Sequence, residues 1–252
     1  CDVKKLFRSI VLSSTYRQTS DAAPALYARD PENRLLARGP RVRLTSEQIR
    51  DQALSVSGLL AEKIGGPSVR PYQPDGLYKG IVVDAPYPST TWELGKGDEL
   101  YRRSLYTFWK RTVPHPAMLT FDSPDREFCS ARRSRTNTPL QALVLWNETG
   151  YLESSRKLAE RMLKEGGADD AARTAFAFRL ATGRAPRPAE TEVLVRTLAQ
   201  LRADFSARPD DAAKLVKVGA SVPDHALPAV ELAAAAGVAN LILTLDETIT
   251  KN

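Results

Sequence analysis

The chain has 252 residues, 42% of them hydrophobic and 26% charged, the balance of a globular protein long enough to bury a sizeable core. No apolar run is long enough to cross a bilayer, so no membrane span is expected; the nearest candidate, Ala229 to Leu245, carries Glu231 and Asn240 and reads as a buried helix. The two cysteines, Cys1 and Cys129, and the two widely spaced histidines, His115 and His225, form no disulfide framework, no zinc spacing and no C-x-x-C-H, so neither a metal site nor an attached c-type haem is expected on this chain.

The net charge of +6 is unevenly spread. From Tyr101 to Arg135 there are eight Lys/Arg against three Asp/Glu, and the rest of the chain is close to neutral. A local basic field of this kind points either to an anionic partner or to a solvated arginine-rich surface.

In chain order, "DVKKLFRSIVLS" places Val3, Leu6, Phe7, Ile10 and Val11 at helical spacing and predicts an amphipathic helix. After the loop "ARDPENRLLARGPR", Thr45 and Gln48 form a capping box leading into "SEQIRDQALSVSGLLAEKI". Ile49, Ala53, Val56 and Leu60 share its inner face, and Gly65-Gly66-Pro67 is the expected stop. Residues 65–100 read as an irregular Pro/Gly-rich segment, in which "GIVVDA" and the following "SLYTFWK" could pair as one small β-hairpin. "TPLQALVLW" opens with Thr138 at the N-cap, Pro139 at the first helical position and Gln141 at the capping-box position, with Leu140, Leu143 and Val144 as its apolar face. Further helices follow in "YLESSRKLAERMLKE", "DDAARTAFAFRLATG" and "PAETEVLVRTLAQLRADF", then a last one from about Pro228. The expected fold is mainly α, a multi-helix domain with a Pro/Gly-rich central loop and at most a small β-hairpin.

The stretch "FDSPDREFCSARRSRTNTPLQ" is the candidate site. Arg132, Arg133 and Arg135 stand just before a helix N-terminus, where the unpaired N–H groups favour anions over cations. Either Asp122, Asp125 and Glu127 fold back onto the arginines and fix the loop, or the guanidinium groups and the N–H groups of Leu140 and Gln141, beside the Thr138 cap, hold an outside carboxylate or sulfate. Arg102 and Arg103 in "YRRSLYTFWKR" extend the same basic surface, although the apolar alternation there also fits a buried segment. Asp122 and Asp125 are a candidate acid/base pair, and His115 between two prolines is a candidate general base. Cys129 sits among arginines without a neighbouring histidine and reads as an inert thiol.

The phrases "SIVLSSTYRQTS", "RRSLYTFWKRTVPHPAMLTFDSPDREFCSARRSRTNTPLQALVLWN", "RLATGRAPRPAE" and "NLILTLDETIT" together resemble the PSD-one domain over residues 2–252. That is a domain of unknown function found with cytochrome c-like modules in planctomycete and verrucomicrobial proteins. The resemblance implies the C-terminal part of a multidomain cell-envelope protein, periplasmic or extracellular, with part of the domain and any haem c on modules upstream. It implies the upstream domains as partners, and acidic polysaccharide rather than nucleic acid as the available polyanion. It supplies no activity.

Two functions follow as expectations. The first is an accessory or interaction module that binds an anionic surface through the arginine loop and the helix end. The alternative is an enzyme acting on acidic or sulfated polysaccharide through Asp122 or Asp125.

Overall fold

The computed structural model describes residues 2–78 and 92–251. The chain forms two compact units, one made by the chain up to Leu44 together with the segment from Ile249, the other by Thr45–Thr248. The mainly α expectation holds: among the described residues there are eleven α-helices and a single two-stranded antiparallel pairing.

In the first unit, α1 (Val3–Val11) is capped by Asp2, whose side chain accepts the Lys5 N–H at 3.0 Å. None of its residues is buried; Val3, Leu6, Phe7, Ile10 and Val11 are all exposed. After α2 (Pro24–Arg29), the loop from Asp30 folds on its own polar groups. Buried Asp30 accepts the N–H groups of Arg34 and Leu35 at 2.9 and 2.8 Å, while Asn33 bonds the Arg38 carbonyl at 2.7 Å. The Leu35 N–H, followed by that of Arg34 and the charge of Arg38, outweighs burial and holds the Asp30 carboxyl below its usual range. Strand β1 (Val42–Arg43) then pairs with β2 (Thr250–Lys251).

The second unit begins with the predicted capping box: Gln48 Oε1 accepts the Thr45 N–H at 3.0 Å, and Thr45 Oγ1 accepts that of Gln48 at 3.4 Å. Helix α3 (Ser46–Ser57) buries Ile49 and Ala53 as expected, with Leu54 and Ser57. It stops well before Gly65, because Gly58 takes a left-handed φ of 79° and the N–H groups of Leu59 and Leu60 turn back to the Leu54 carbonyl. Leu59, Leu60 and Ala61 then pack against Leu54, Leu100 and Tyr101.

The expected hairpin is not formed by the described residues. "GIVVDA" lies outside them, and "SLYTFWK" makes a 3-10 turn at Ser104–Tyr106 followed by an isolated bridge from Thr107 to Val69. The one strand pairing joins two distant segments instead.

Helices α4 (Pro116–Thr120), α5 (Pro139–Asn147), α6 (Thr149–Glu165), α7 (Asp170–Thr182), α8 (Pro188–Ala207), α9 (Pro209–Leu215), α10 (Ala229–Thr244) and the short α11 (Asp246–Ile249) complete the set. Helix α10 is apolar all round and packs on α6, α7, α8 and α9. A helix with no polar face has to sit inside, and Leu232, Val238, Ala239 and Ile242 are essentially without exposure. Its alanines let α6 come close while carrying an unusual load of buried polar residues, among them Glu153, Ser154, Arg156 and Glu160. Arg184 fastens the other side, reaching Glu190 at the start of α8 at 2.8 Å and Glu247 at 2.7 Å.

Candidate functional site

The arginine loop is built by backbone anchors, two of them supplied by Asp122 and Asp125. Asp122, in a left-handed conformation with φ of 59°, accepts the Thr136 N–H at 2.8 Å and its hydroxyl at 2.9 Å. Asp125 Oδ1 accepts the Glu127 N–H at 3.0 Å, and its carbonyl accepts the Trp109 indole N–H at 3.1 Å. Arg126 lies over that indole, 4.8 Å from the ring centroid.

Arg133 finds its carboxylate elsewhere. Its Nη1 donates to both oxygens of Glu47, in the first turn of α3, at 2.9 and 2.8 Å. Burial works against the Glu47 charge, but hydrogen bonds from Arg133, its own N–H and Ser46 outweigh that and hold its carboxyl below the usual range. Arg132 and Arg135 are exposed and form no ion pair among the described residues. Cys129 is a free, exposed thiol.

At the N-terminal end of α5, Gln141 is committed to the fold. Gln141 is buried; its Nε2 donates to the Thr120 carbonyl at 2.9 Å and to Thr136 Oγ1 at 3.1 Å, while its Oε1 accepts the Thr138 N–H at 3.4 Å. The Gln141 N–H is itself taken by the Thr138 carbonyl at 3.0 Å. Arg102 is also buried: its guanidinium donates to the carbonyls of Lys63, Gly65 and Pro67 and stacks 3.7 Å from the Tyr106 ring centroid. It holds the glycine-rich loop rather than a surface, whereas Arg103 is exposed.

The apolar side of α5 is the reverse of the expectation. Gln141 and Leu145 face inward, while Leu140, Leu143 and Trp146 are 57%, 56% and 43% exposed. Large apolar side chains at i, i+3 and i+6 therefore form a stripe on the outside, beginning just after the arginine loop and close in sequence to the exposed Phe128.

A second locus lies between α3, α4, α6, the loop carrying Tyr72 and the 3-10 turn Gly97–Tyr101. A small cavity of about 20 Å³, room for roughly one water-sized group, is lined there by Arg50, His115, Glu148, Tyr151, Glu153 and Ser154, with both tyrosines beside them. His115 is the one sequence candidate that reaches it; Asp122 and Asp125 do not line it. His115 Nε2 lies 2.7 Å from the Tyr72 carbonyl, an acceptor only, so Nε2 carries the proton and Nδ1 is left with a lone pair and no partner. Burial, aided by Arg50, pushes the ring down to about 4 against the pull of that carbonyl.

Glu148 caps α6 by accepting the Tyr151 N–H at 3.1 Å. Burial still raises its carboxyl above the ordinary value, against the Gly150 and Tyr151 N–H groups and Arg50. Glu153 Oε1 receives the Tyr101 hydroxyl at 2.9 Å and the Ser221 N–H at 2.6 Å, while Oε2 has no partner. Burial lowers Arg50 against the charges of Glu148, Tyr151 and Asp51; its guanidinium bonds the carbonyls of Leu100 and Arg102 at 2.6 and 2.9 Å.

Arg50, Glu148 and Glu153 were not anticipated from sequence. The signal was present in "NETGYLESSR", where Ser154 and Ser155 share a helical face with Leu158 and Met162 and Glu153 and Arg156 fall on the opposite side, which is buried as well; such acid and arginine positions ordinarily mark a solvated face. Among the described residues no group of three His, Cys, Asp or Glu is placed to hold a metal ion, and no helix is long and apolar enough to cross a membrane.

The chain is a mainly α protein, and the family comparison agrees with the resemblance read from the sequence. The chain belongs to the family PSD1, described as "Protein of unknown function (DUF1553)", whose model matches residues 1–198. That match ends inside α8, although α10 beyond it supplies much of the core of the second unit. No curated protein and no solved structure matches the chain.

Proposed function

We propose that this chain is an interaction module that docks an acidic protein surface through the arginine loop and the outer face of α5. The observation that carries the reading is the exposed Leu140, Leu143 and Trp146 stripe, directly downstream of Arg132 and Arg135. Apolar anchors ringed by arginine are the composition of a protein interface, with Trp and Arg its usual energetic centres. A polyanionic polysaccharide would use the arginines but gain little from three exposed apolar side chains.

The partner that suits this chemistry is an acid-rimmed apolar face on a neighbouring domain of the same polypeptide, in the cytochrome c-linked envelope proteins that the sequence resemblance implies. Arg133 takes part indirectly, by holding the loop to α3, while Arg132 and Arg135 supply the free charge. The enzymatic alternative has less support, because Asp122 and Asp125 are occupied with loop backbone.

Calorimetry against separately produced neighbouring domains tests the reading. Binding should weaken at least tenfold in Trp146→Ser and become less salt-dependent in Arg132→Met/Arg135→Met. Binding of a sulfated polysaccharide that is equal in wild type and Trp146→Ser, with no binding to any neighbouring domain, would overturn it.

A further inference from the structure

We infer that the cavity between α3, α4 and α6 is a binding site for a small ammonium-type cation, held by His115 Nδ1, Glu153 Oε2 and Ser154 Oγ. The site is independent of the docking surface and is assembled from buried side chains alone.

Three unpartnered polar atoms belong to residues that line this one cavity: His115 Nδ1, Glu153 Oε2 and Ser154 Oγ. Each of these residues is at most 5% exposed. A buried polar atom left unbonded costs on the order of 1–3 kcal/mol, so three around one space point to an occupant. Their chemistry says what kind. Nδ1 is an acceptor because Nε2 spends its proton on the Tyr72 carbonyl, and a carboxylate oxygen accepts only. The hydroxyl of Ser154 can accept as well. The occupant must therefore be a donor.

Charge and size narrow it further. Glu148 and Glu153 line the cavity with Arg50, the one Lys or Arg of the lining among the described residues, and Arg50 turns its donors onto the carbonyls of Leu100 and Arg102 and the hydroxyl of Ser104. Arg156 lies 3.9 Å from Glu153 Oε1 but spends its hydrogen bonds on Glu160 and Ser221, so Oε2 still lacks a donor. Tyr72, Tyr101 and Tyr151 complete the wall, and aromatic faces attract cations. About 20 Å³ admits one water-sized group and excludes a sugar ring or a nucleotide. With no cluster of metal-ligating residues among those described, a cation that binds by donating hydrogen bonds fits where a metal ion does not. Ammonium is of that size and donates four.

The test is titration of the protein with ¹⁵N-labelled ammonium chloride, with sodium chloride as control. A bound, solvent-protected ammonium resonance should appear, with a saturable change in the His115 ring signals that sodium does not produce. Ser154→Ala, a small change on a buried helix face, should weaken binding several-fold, and Glu153→Gln about tenfold or more if it folds. Methylammonium in a parallel titration tells a free ion from the head of a larger amine. If ammonium produces no protected resonance and no His115 response beyond the sodium control, the cavity holds water alone and the inference is wrong. Binding unchanged in Ser154→Ala would overturn the assigned ligands.

Discussion

Arg133 and Glu47, 86 residues apart, form a two-oxygen contact through a single guanidinium nitrogen, and this joins the arginine loop to the first turn of α3. The acid that answers the loop's positive charge thus comes from another helix, at the position where a helix N-terminus also favours a carboxylate. Their side chains are 40% and 28% exposed, so solvent screens much of the attraction.

Arg133→Met is therefore expected to cost at most about 1 kcal/mol of global stability. Its local effect should be larger: the N–H of Thr136, held by Asp122, should exchange with solvent faster once the loop is untied. The Glu47 contact follows the usual carboxylate sign. Its folded pKa is depressed, so its contribution is complete above the unfolded value near 4.5 and is lost as pH falls below that. Hydrogen exchange in wild type and variant at pH 7 checks the first point, and equal Thr136 protection in both would refute it.

Gly219 has φ of 90°, and a Cβ there would lie 2.2 Å from Glu153 Cδ. Gly219→Ala should thus be severely destabilising, more than about 2 kcal/mol, since the strained backbone and the collision with a buried carboxylate add together. Gly183 is the control. It has φ of 79° with nothing within 4 Å, so Gly183→Ala should cost only about 1 kcal/mol. Urea titrations of the two variants should separate clearly; equal midpoints would mean that the turn at 219 yields without cost.

The contrast between these glycines marks what could be read from sequence. Thr45, Gln48, Thr138 and Pro139 act locally, so both helix starts were legible, as was the all-apolar α10. The direction of α5 was not. "PLQALVLWN" is apolar on nearly every side, and only the commitment of Gln141 to Thr120 and Thr136 turns Leu140 and Leu143 outward. The cavity was hidden for a related reason. Glu153 becomes a buried carboxylate only because Tyr101 and Ser221, distant in sequence, close over it.

His115 should make stability depend on pH. Its ring protonates near 6.5 when unfolded but only near 4 when folded, so protons favour the unfolded chain between those values. The stabilisation is fully present above 6.5 and is lost as pH falls toward 4, by an upper bound of roughly 3 kcal/mol. Glu148 works in the opposite sense toward the acid end, since its raised pKa lets the folded state bind a proton first. In His115→Gln, whose amide can still donate to the Tyr72 carbonyl, the slope between pH 5 and 7 should flatten. Denaturant midpoints measured across that range decide it; parallel curves for variant and wild type would contradict the assignment.

The last prediction concerns α1. Its apolar face, Leu6, Phe7 and Ile10, is exposed along its whole length, while Lys4, Lys5 and Arg8 are exposed alongside it. A contiguous apolar face in water favours association with any similar surface, at roughly 25 cal/mol for each Å² covered. The chain as it stands should therefore self-associate in a concentration-dependent way, held by that face rather than by its charge. Leu6→Ser/Phe7→Ser should shift the population toward monomer without loss of helical signal from the second unit, because no residue of α1 is buried. Raising the salt should strengthen association in wild type, since it screens the repulsion between the lysines and leaves the apolar contact intact. Sedimentation velocity across a concentration series measures both effects. A wild-type chain that stays monomeric throughout, at low and high salt, would show that the face is too small to hold two copies together.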